Sequence, residues 1–170
     1  MTLVKGNTLN TEKESSLIMK AVVQRVAYAH VKVDGVIEGA IEKGLLILLG
    51  VEADDDEYEA ELLAKKIATL RIFSDENDKM NLSLQDIDGG VLVISNFTLC
   101  GDCRKGRRPY FGMAGNPEIA EPLYELFVRK MEENGVVKVE KGVFGADMKL
   151  ELLNDGPVTI VLNSKELPHK

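Results

Sequence analysis

Near the C-terminus, Asn154-Asp155-Gly156-Pro157-Val158-Thr159 separates two strand-like runs, and few stretches of this length restrict a backbone more. Gly156 reaches angles closed to other residues, whereas Pro157 fixes φ and offers no N–H to a ladder. An X-Pro bond is also the place where a cis peptide is accessible, at roughly 0.5–1 kcal/mol against trans. On pattern alone the stretch is a hairpin turn joining strands at about 147–153 and 158–162. The functional alternative is a rigid piece of backbone presented to a ligand. The rest of the chain decides between them.

With 170 residues, 45% of them hydrophobic and 29% charged, the chain has the composition of one soluble globular domain with a substantial core. No apolar run approaches the eighteen or so residues that span a bilayer; the longest, Leu45 to Leu49, reads as a buried strand. The net charge of −7 points to no nucleic-acid partner globally. Locally it hides an exception, because Arg104, Lys105, Arg107 and Arg108 put four cations into five positions. Two cysteines are too few for a disulfide framework, and no secretory or transit signal is visible, so a cytoplasmic location is expected. Residues 1–18 are polar and aperiodic. They read as an extension, disordered or artificially appended, ahead of a natural start at Met19; a single domain is expected over 19–164, with an unstructured tail over 165–170.

Secondary structure follows from periodicity. From Lys20 the chain is rich in valine, with Val31 and Val33 alternating with polar residues. Asp34-Gly35 is a two-residue hairpin signal leading to a return strand from Val36 to Ile41. Leu45 to Val51 is apolar on both faces and therefore central. Asp54, Asp55 and Asp56 supply a cap and acidic first turn for a helix to about Leu70, whose apolar face is Tyr58, Leu62, Leu63, Ile67 and Leu70. Short extended pieces are expected near Phe73 and from Met80 to Leu84, and a strong strand from Val91 to Phe97. After a Gly- and cation-rich loop, Asn116-Pro117 opens a second helix with a stripe of Ile119, Leu123, Phe127 and Met131, closed by Gly135. A further strand runs from Val136 to Val139. The tally is about seven strands and two helices. It predicts an α/β fold, a layered sandwich of mixed β-sheets with two helices packed outside, whose open edges a homodimer would cover.

A search for conventional chemistry fails. His30 and His169 are a strand and a tail residue, so no nucleophile–histidine pair can be argued. Cys100 and Cys103 have redox-type or half-zinc spacing, but no second ligand pair exists and the motif opens a loop rather than a helix. No metal and no cofactor is expected. What remains is Ser95-Asn96-Phe97-Thr98-Leu99, which ends a buried strand and runs into the basic loop. Arg104, Lys105, Arg107 and Arg108 beside a strand terminus suit phosphate-guided substrate binding, and backbone N–H groups there suit a developing oxyanion. Taken alone, such a cluster is more often a solvated loop.

These stretches, with Phe144-Gly-Ala-Asp-Met148, Lys20-Ala-Val-Val-Gln-Arg-Val26, Leu70-Arg-Ile-Phe73, Lys79-Met-Asn-Leu-Ser-Leu84 and the Gly156-Pro157 motif, resemble the D-aminoacyl-tRNA deacylases from Met19 to about Ser164. The resemblance implies a homodimer that hydrolyses the ester between a D-amino acid, or mischarged glycine, and the 3′-terminal adenosine of tRNA, with no DNA or membrane partner. It implies that Gly156 and Pro157 are joined by a cis peptide and reach the partner subunit's active site. There they reject L-amino acids by backbone sterics, while Arg25 steadies their loop. Ser95, Asn96, Phe97 and Thr98 are the implied catalytic segment, with Phe144 and Met148 at the substrate. One departure stands out: the family usually has glutamine where this chain has Asn96.

The absence of an activated histidine agrees with this chemistry, because an aminoacyl ester is already reactive. The expected mechanism stabilises the oxyanion with the Phe97 and Thr98 backbone N–H groups, and uses the terminal ribose 2′-OH to orient or activate water. Thr98 as nucleophile is the competing mechanism. Competing functions are a thiol oxidoreductase using Cys100 and Cys103, and a non-catalytic tRNA-binding dimer.

Overall fold

The computed structural model describes residues 18–169. The reading of residues 1–17 as an extension lies outside the described residues. The elements in chain order are β1 (Lys20–Val33), β2 (Val36–Ile41), β3 (Gly44–Gly50), α1 (Glu57–Thr69), β4 (Phe73–Ser74), β5 (Met80–Leu82), β6 (Gly90–Ser95), α2 (Pro117–Glu133), β7 (Lys138–Lys141) and β8 (Lys149–Asn163). Single 3-10 turns cover Phe97–Cys100 and Ser164–Glu166.

Asp34 (φ 49°) and Gly35 (φ 79°) both take positive φ, the turn geometry whose twist matches flanking antiparallel strands. β2 therefore folds back on the second half of β1, from Ala29↔Ile41 to Val33↔Val36. The first half of β1 pairs with β3 on the same edge, from Lys20↔Gly50 to Val26↔Gly44. β3, β6 and β7 then run parallel, so each step needs a crossover, and α1 and α2 supply them. The order is β2-β1-β3-β6-β7, with β8 antiparallel along the other edge of β1; β4 and β5 form a separate two-stranded ribbon. The sheet also curls back on itself. A Cβ built on Gly39 of β2 would lie 2.6 Å from the carbonyl oxygen of Lys141 on β7, so the two outer strands meet with no room for a side chain.

This curl is what produces the layers. Alternate residues of the central strands enter different cores: Leu45, Ile47, Val91 and Val93 face the helices, whereas Leu46, Leu92 and Ile94 face the interior of the curled sheet. Burial on both faces explains why these strands read as continuous apolar runs. The mixed α/β architecture with two outer helices agrees with the reading of the sequence, and the described strands number eight.

Both helices begin where their caps place them. Asp56 accepts from the Tyr58 N–H and Glu59 reaches back to the Asp56 N–H, a reciprocal capping box. Asn116 accepts from the Ile119 N–H, with Pro117 first in α2. The buried face of α1 is Ala60, Leu63, Ala64, Ile67 and Ala68. Tyr58 does not join it; the ring lies outside, 5.6 Å from that of His169.

Two expectations need correction. The segment around Gly156-Pro157 is not a turn between strands, since β8 is one strand of 15 residues. The tail does not start unstructured either: a 3-10 turn over Ser164–Glu166 carries into it, anchored by the fully buried Ser164, whose Oγ accepts the Met19 N–H at 2.9 Å.

The Asp triplet also holds more than a cap. Asp55 is buried, and one carboxylate oxygen accepts the Glu52 N–H at 2.7 Å, while Oδ1 makes no hydrogen bond within 3.5 Å among the described residues. Burial, aided by the nearby Glu52 and Glu59 carboxylates, raises its pKa from 3.8 to about 7. A carboxyl raised in the folded state stays protonated while the unfolded chain ionises, so stability falls as pH rises from about 4 to about 7 and then levels off. Asp55→Asn is therefore expected to gain stability over the parent across that window and hold the gain above it. At 1.36 kcal/mol per pKa unit the gain is at most about 4 kcal/mol. Denaturant titrations at pH 4 and pH 8 measure it, and an unchanged difference between the two proteins would contradict it.

Candidate active site

β6 ends at Ser95, the last residue paired to β3 (Leu49↔Ser95), and the chain turns there. Asn96 makes the turn. Its Oδ1 accepts the Thr98 N–H at 3.2 Å and, through a short contact, the Thr98 hydroxyl. Asparagine suits this, because its carboxamide reaches the N–H two residues on and so mimics a backbone turn. The Asn96 N–H is itself held by the Leu49 carbonyl at 2.8 Å. Of the two N–H groups assigned to the oxyanion, that of Thr98 is thus occupied by Asn96, whereas that of Phe97 makes no hydrogen bond among the described residues.

This turn borders an open pocket of about 480 Å³ at the carboxyl ends of β3 and β6. Ser95, Asn96 and Phe97 form one wall. Phe144 and Met148, on the connection between β7 and β8, stand across from it, and Ala114, Pro117, Ala120 and Tyr124 from the loop before α2 and from α2 itself complete it. Tyr124 is fully buried and fixes that side: its hydroxyl donates to the Val93 carbonyl at 2.8 Å, and its ring centroid lies 5.9 Å from that of Phe144. Burial raises the Tyr124 pKa well above that of an ordinary phenol, so the group stays a neutral donor. Mostly apolar walls with a few convergent polar groups are the usual make-up of a small-ligand site.

The structure brings Ser95, Asn96, Phe97, Phe144 and Met148 together at this pocket. Thr98, Arg25, Gly156 and Pro157 do not line it. Thr98 is exposed on the outer side of the turn. The Gly156-Pro157 peptide is cis and lies on an outward bulge of β8. Gln24 pairs with Thr159 and Val26 with Asn154, so Asp155 to Val158 stand opposite Arg25 alone. Asn154 ties the base of this bulge: its Oδ1 accepts the Val158 N–H at 2.8 Å, and its Nδ2 donates to the Val158 carbonyl at 3.2 Å and to Thr159 Oγ1 at 3.1 Å. Arg25 braces it from β1, donating from Nε to the Asp155 carbonyl and from Nη1 to the Ile72 carbonyl, both at 2.8 Å. Gly156 sits at φ +152°, and a Cβ there would lie 2.7 Å from the Val158 nitrogen.

The basic loop is anchored at its root, where Asp102 and Tyr110 pair through both backbone N–H groups. Arg104 pairs with Asp102 at 2.7 Å, and this contact holds the Asp102 pKa down at about 2. Lys105, Arg107 and Arg108 are exposed and form no ion pair among the described residues. Cys100 is buried and its thiol is pushed up to about 11, chiefly by burial, which suppresses the reactive thiolate; Cys103 is exposed and unbonded. Among the described residues, no three His, Cys, Asp or Glu side chains converge in a way that could hold a metal ion. Sequence reasoning missed the roles of Asn154, Thr159 and Tyr124. The asparagine and Thr159 had a local signal, a side chain bonding groups four and five residues on; the partner of Tyr124, the Val93 carbonyl, is one only the fold supplies.

Comparison with known proteins gives this arrangement a place. The family model described as D-Tyr-tRNA(Tyr) deacylase matches residues 22–163, and the chain belongs to that family. A curated D-aminoacyl-tRNA deacylase of Koribacter versatilis (strain Ellin345) is 60% identical over 148 residues, covering 87% of this chain and 99% of the relative. One from Thermosipho melanesiensis (strain DSM 12029 / CIP 104789 / BI429) is 56% identical over 149 residues, covering 88% and 99%. Among solved structures, the c-Myc DNA Unwinding Element Binding Protein superposes with a TM-score of 0.80 at 39% identity, covering 88% of this chain and 99% of its own. A probable eukaryotic D-amino acid tRNA deacylase shares the fold, with a TM-score of 0.74 at 16% identity and coverage of 86% and 100%.

Proposed function

We propose that this protein is a cytoplasmic homodimer that hydrolyses the ester linking a D-amino acid, or glycine, to the 3′-terminal adenosine of tRNA. The observation that carries the reading is the pocket between Ser95-Asn96-Phe97 and Phe144/Met148, which has the chemistry an activated ester needs and no more. Apolar walls hold a flat base or ring. The unused Phe97 N–H points the oxyanion role to that group, since removing one such preorganised donor typically costs about 10²–10³ in rate. The Thr98 N–H joins it only if Asn96 releases it. The ribose 2′-OH of the substrate orients or activates the attacking water.

The chiral gate is assigned to Gly156-Pro157. That motif is exposed, braced by Arg25 and Asn154, and does not line its own subunit's pocket, which is the disposition of a segment that serves a second copy. Rejection by backbone needs no side-chain recognition, so glycine and varied D-residues pass alike.

Thr98 is assigned a structural role, because its hydroxyl is turned onto Asn96 rather than into the pocket. Thr98→Ala is expected to keep kcat within about fivefold, since one hydrogen bond at an exposed turn contributes about 0.5–1.5 kcal/mol. A collapse of rate with the circular dichroism spectrum intact would restore the nucleophile mechanism. Release of free amino acid from D-tyrosyl-tRNA tests the enzyme reading itself: tRNA binding without release would instead favour the non-catalytic RNA-binding dimer.

A further inference from the structure

Next to the pocket lies a set of rings that the hydrolytic mechanism does not use. Phe111 packs edge-on against Phe97, with centroids 5.3 Å apart and planes at 76°. Tyr110 immediately precedes it on the same loop, is 63% exposed, and lines a second depression with Asp102, Arg104 and Lys105. Phe97 is itself 59% exposed at the pocket wall. Edge-packed Phe97 and Phe111 thus link the pocket wall to the loop that carries Tyr110 and the cations.

Two physical points limit what this path can meet. Large exposed aromatics on a rigidly held loop keep apolar area in water, which is unusual unless a partner covers it. This loop is held, by the paired N–H groups of Asp102 and Tyr110 and by Ala53 N–H to Met113 carbonyl at 2.9 Å. The neighbouring charge is positive: Lys105, Arg107 and Arg108 lack acidic partners among the described residues, on a chain of net charge −7. Rings with adjacent unpaired cations are the make-up of single-strand nucleic-acid sites, where bases stack and cations track phosphates. A second copy of this acidic chain could also meet the cations, and that occupant is separated by the sedimentation outcome below.

From this juxtaposition we infer that Tyr110 and Phe111 form a stacking platform for the unpaired nucleotides just before the terminal adenosine of the tRNA substrate, with Lys105, Arg107 and Arg108 on their phosphates. This rests on the proposed deacylase function and adds to it a site that reads single-stranded RNA outside the pocket. The platform contributes only when nucleotides precede the adenosine.

The test compares kcat/KM for D-tyrosyl-tRNA with kcat/KM for D-tyrosyl-adenosine, the same ester with no preceding nucleotide. Tyr110→Ala is expected to lower the ratio of the two by about tenfold, the loss of one stacked base, and Tyr110→Phe to restore it. Phe111→Ala, which also unpacks Phe97, is expected to lower the ratio further. An unmoved ratio in Tyr110→Ala overturns the inference, as does a fall that Tyr110→Phe fails to restore or a variant whose only change is in oligomeric state by sedimentation. A wild-type protein inactive on both esters instead defeats the deacylase reading, so the two failures are separable.

Discussion

Gly156→Ala is expected to lower D-tyrosyl-tRNA hydrolysis by about a hundredfold or more while leaving the fold in place. The residue is exposed, and by exposure alone the change is trivial. Its backbone says otherwise. At φ +152° an L-residue is strained whatever the free space, and the added Cβ would meet the Val158 nitrogen at 2.7 Å and Val158 Cγ2 at 2.8 Å. Neither neighbour can yield cheaply, because Val158 is buried and its N–H is bonded to Asn154 Oδ1. The bulge must shift as a unit. A displacement near 1 Å of a positioning group costs on the order of 10²-fold in rate, whereas the strain itself costs about 1–3 kcal/mol of stability. The measurement is single-turnover hydrolysis beside a thermal melt. Full D-selective activity in the variant would place the gate elsewhere.

Arg25→Ala is expected to cut the same activity by about tenfold and to destabilise the protein by about 1–3 kcal/mol, the range for hydrogen bonds from a charged donor in a half-buried setting. One guanidinium joins the Asp155 carbonyl of the bulge to the Ile72 carbonyl after α1, so its loss leaves two acceptors to find water and frees the bulge on one side. Arg25→Lys is expected to rescue little, because a single ammonium lacks the planar fork that reaches both oxygens. Unfolding curves and kcat/KM for the two variants check this. Wild-type kinetics in Arg25→Ala would mean that Asn154 alone holds the bulge.

Much of the fold was legible because its signals are local. Asp34-Gly35, the Asp54 to Asp56 run, and Asn116-Pro117 each act within a few residues, and each marks a boundary the structure has. The doubly buried β3 and β6 were legible as apolar runs. The bulge was not: Gly156-Pro157 breaks a period-2 pattern as a turn does, and what makes it a bulge is Arg25, 130 residues away. Tyr58 was misplaced on the apolar face because a helical stripe does not show how wide the partner surface is. At the site, Ser95 to Phe97 and Phe144 to Met148 were found through their motifs, but the opposing wall of Ala120 and Tyr124 arises from how α2 packs. The role of Asn96 depended on which donors its amide oxygen meets, and these proved to be the Thr98 N–H and hydroxyl of its own turn.

On the proposed function, a backbone gate, not a side chain, selects the chirality of the amino acid. The most direct measurement follows release of D-tyrosine and L-tyrosine from identically charged tRNA at the same enzyme concentration. The account predicts rapid loss of the D-ester with the L-ester left standing over the same interval. Equal release of both, or release of neither, would contradict it.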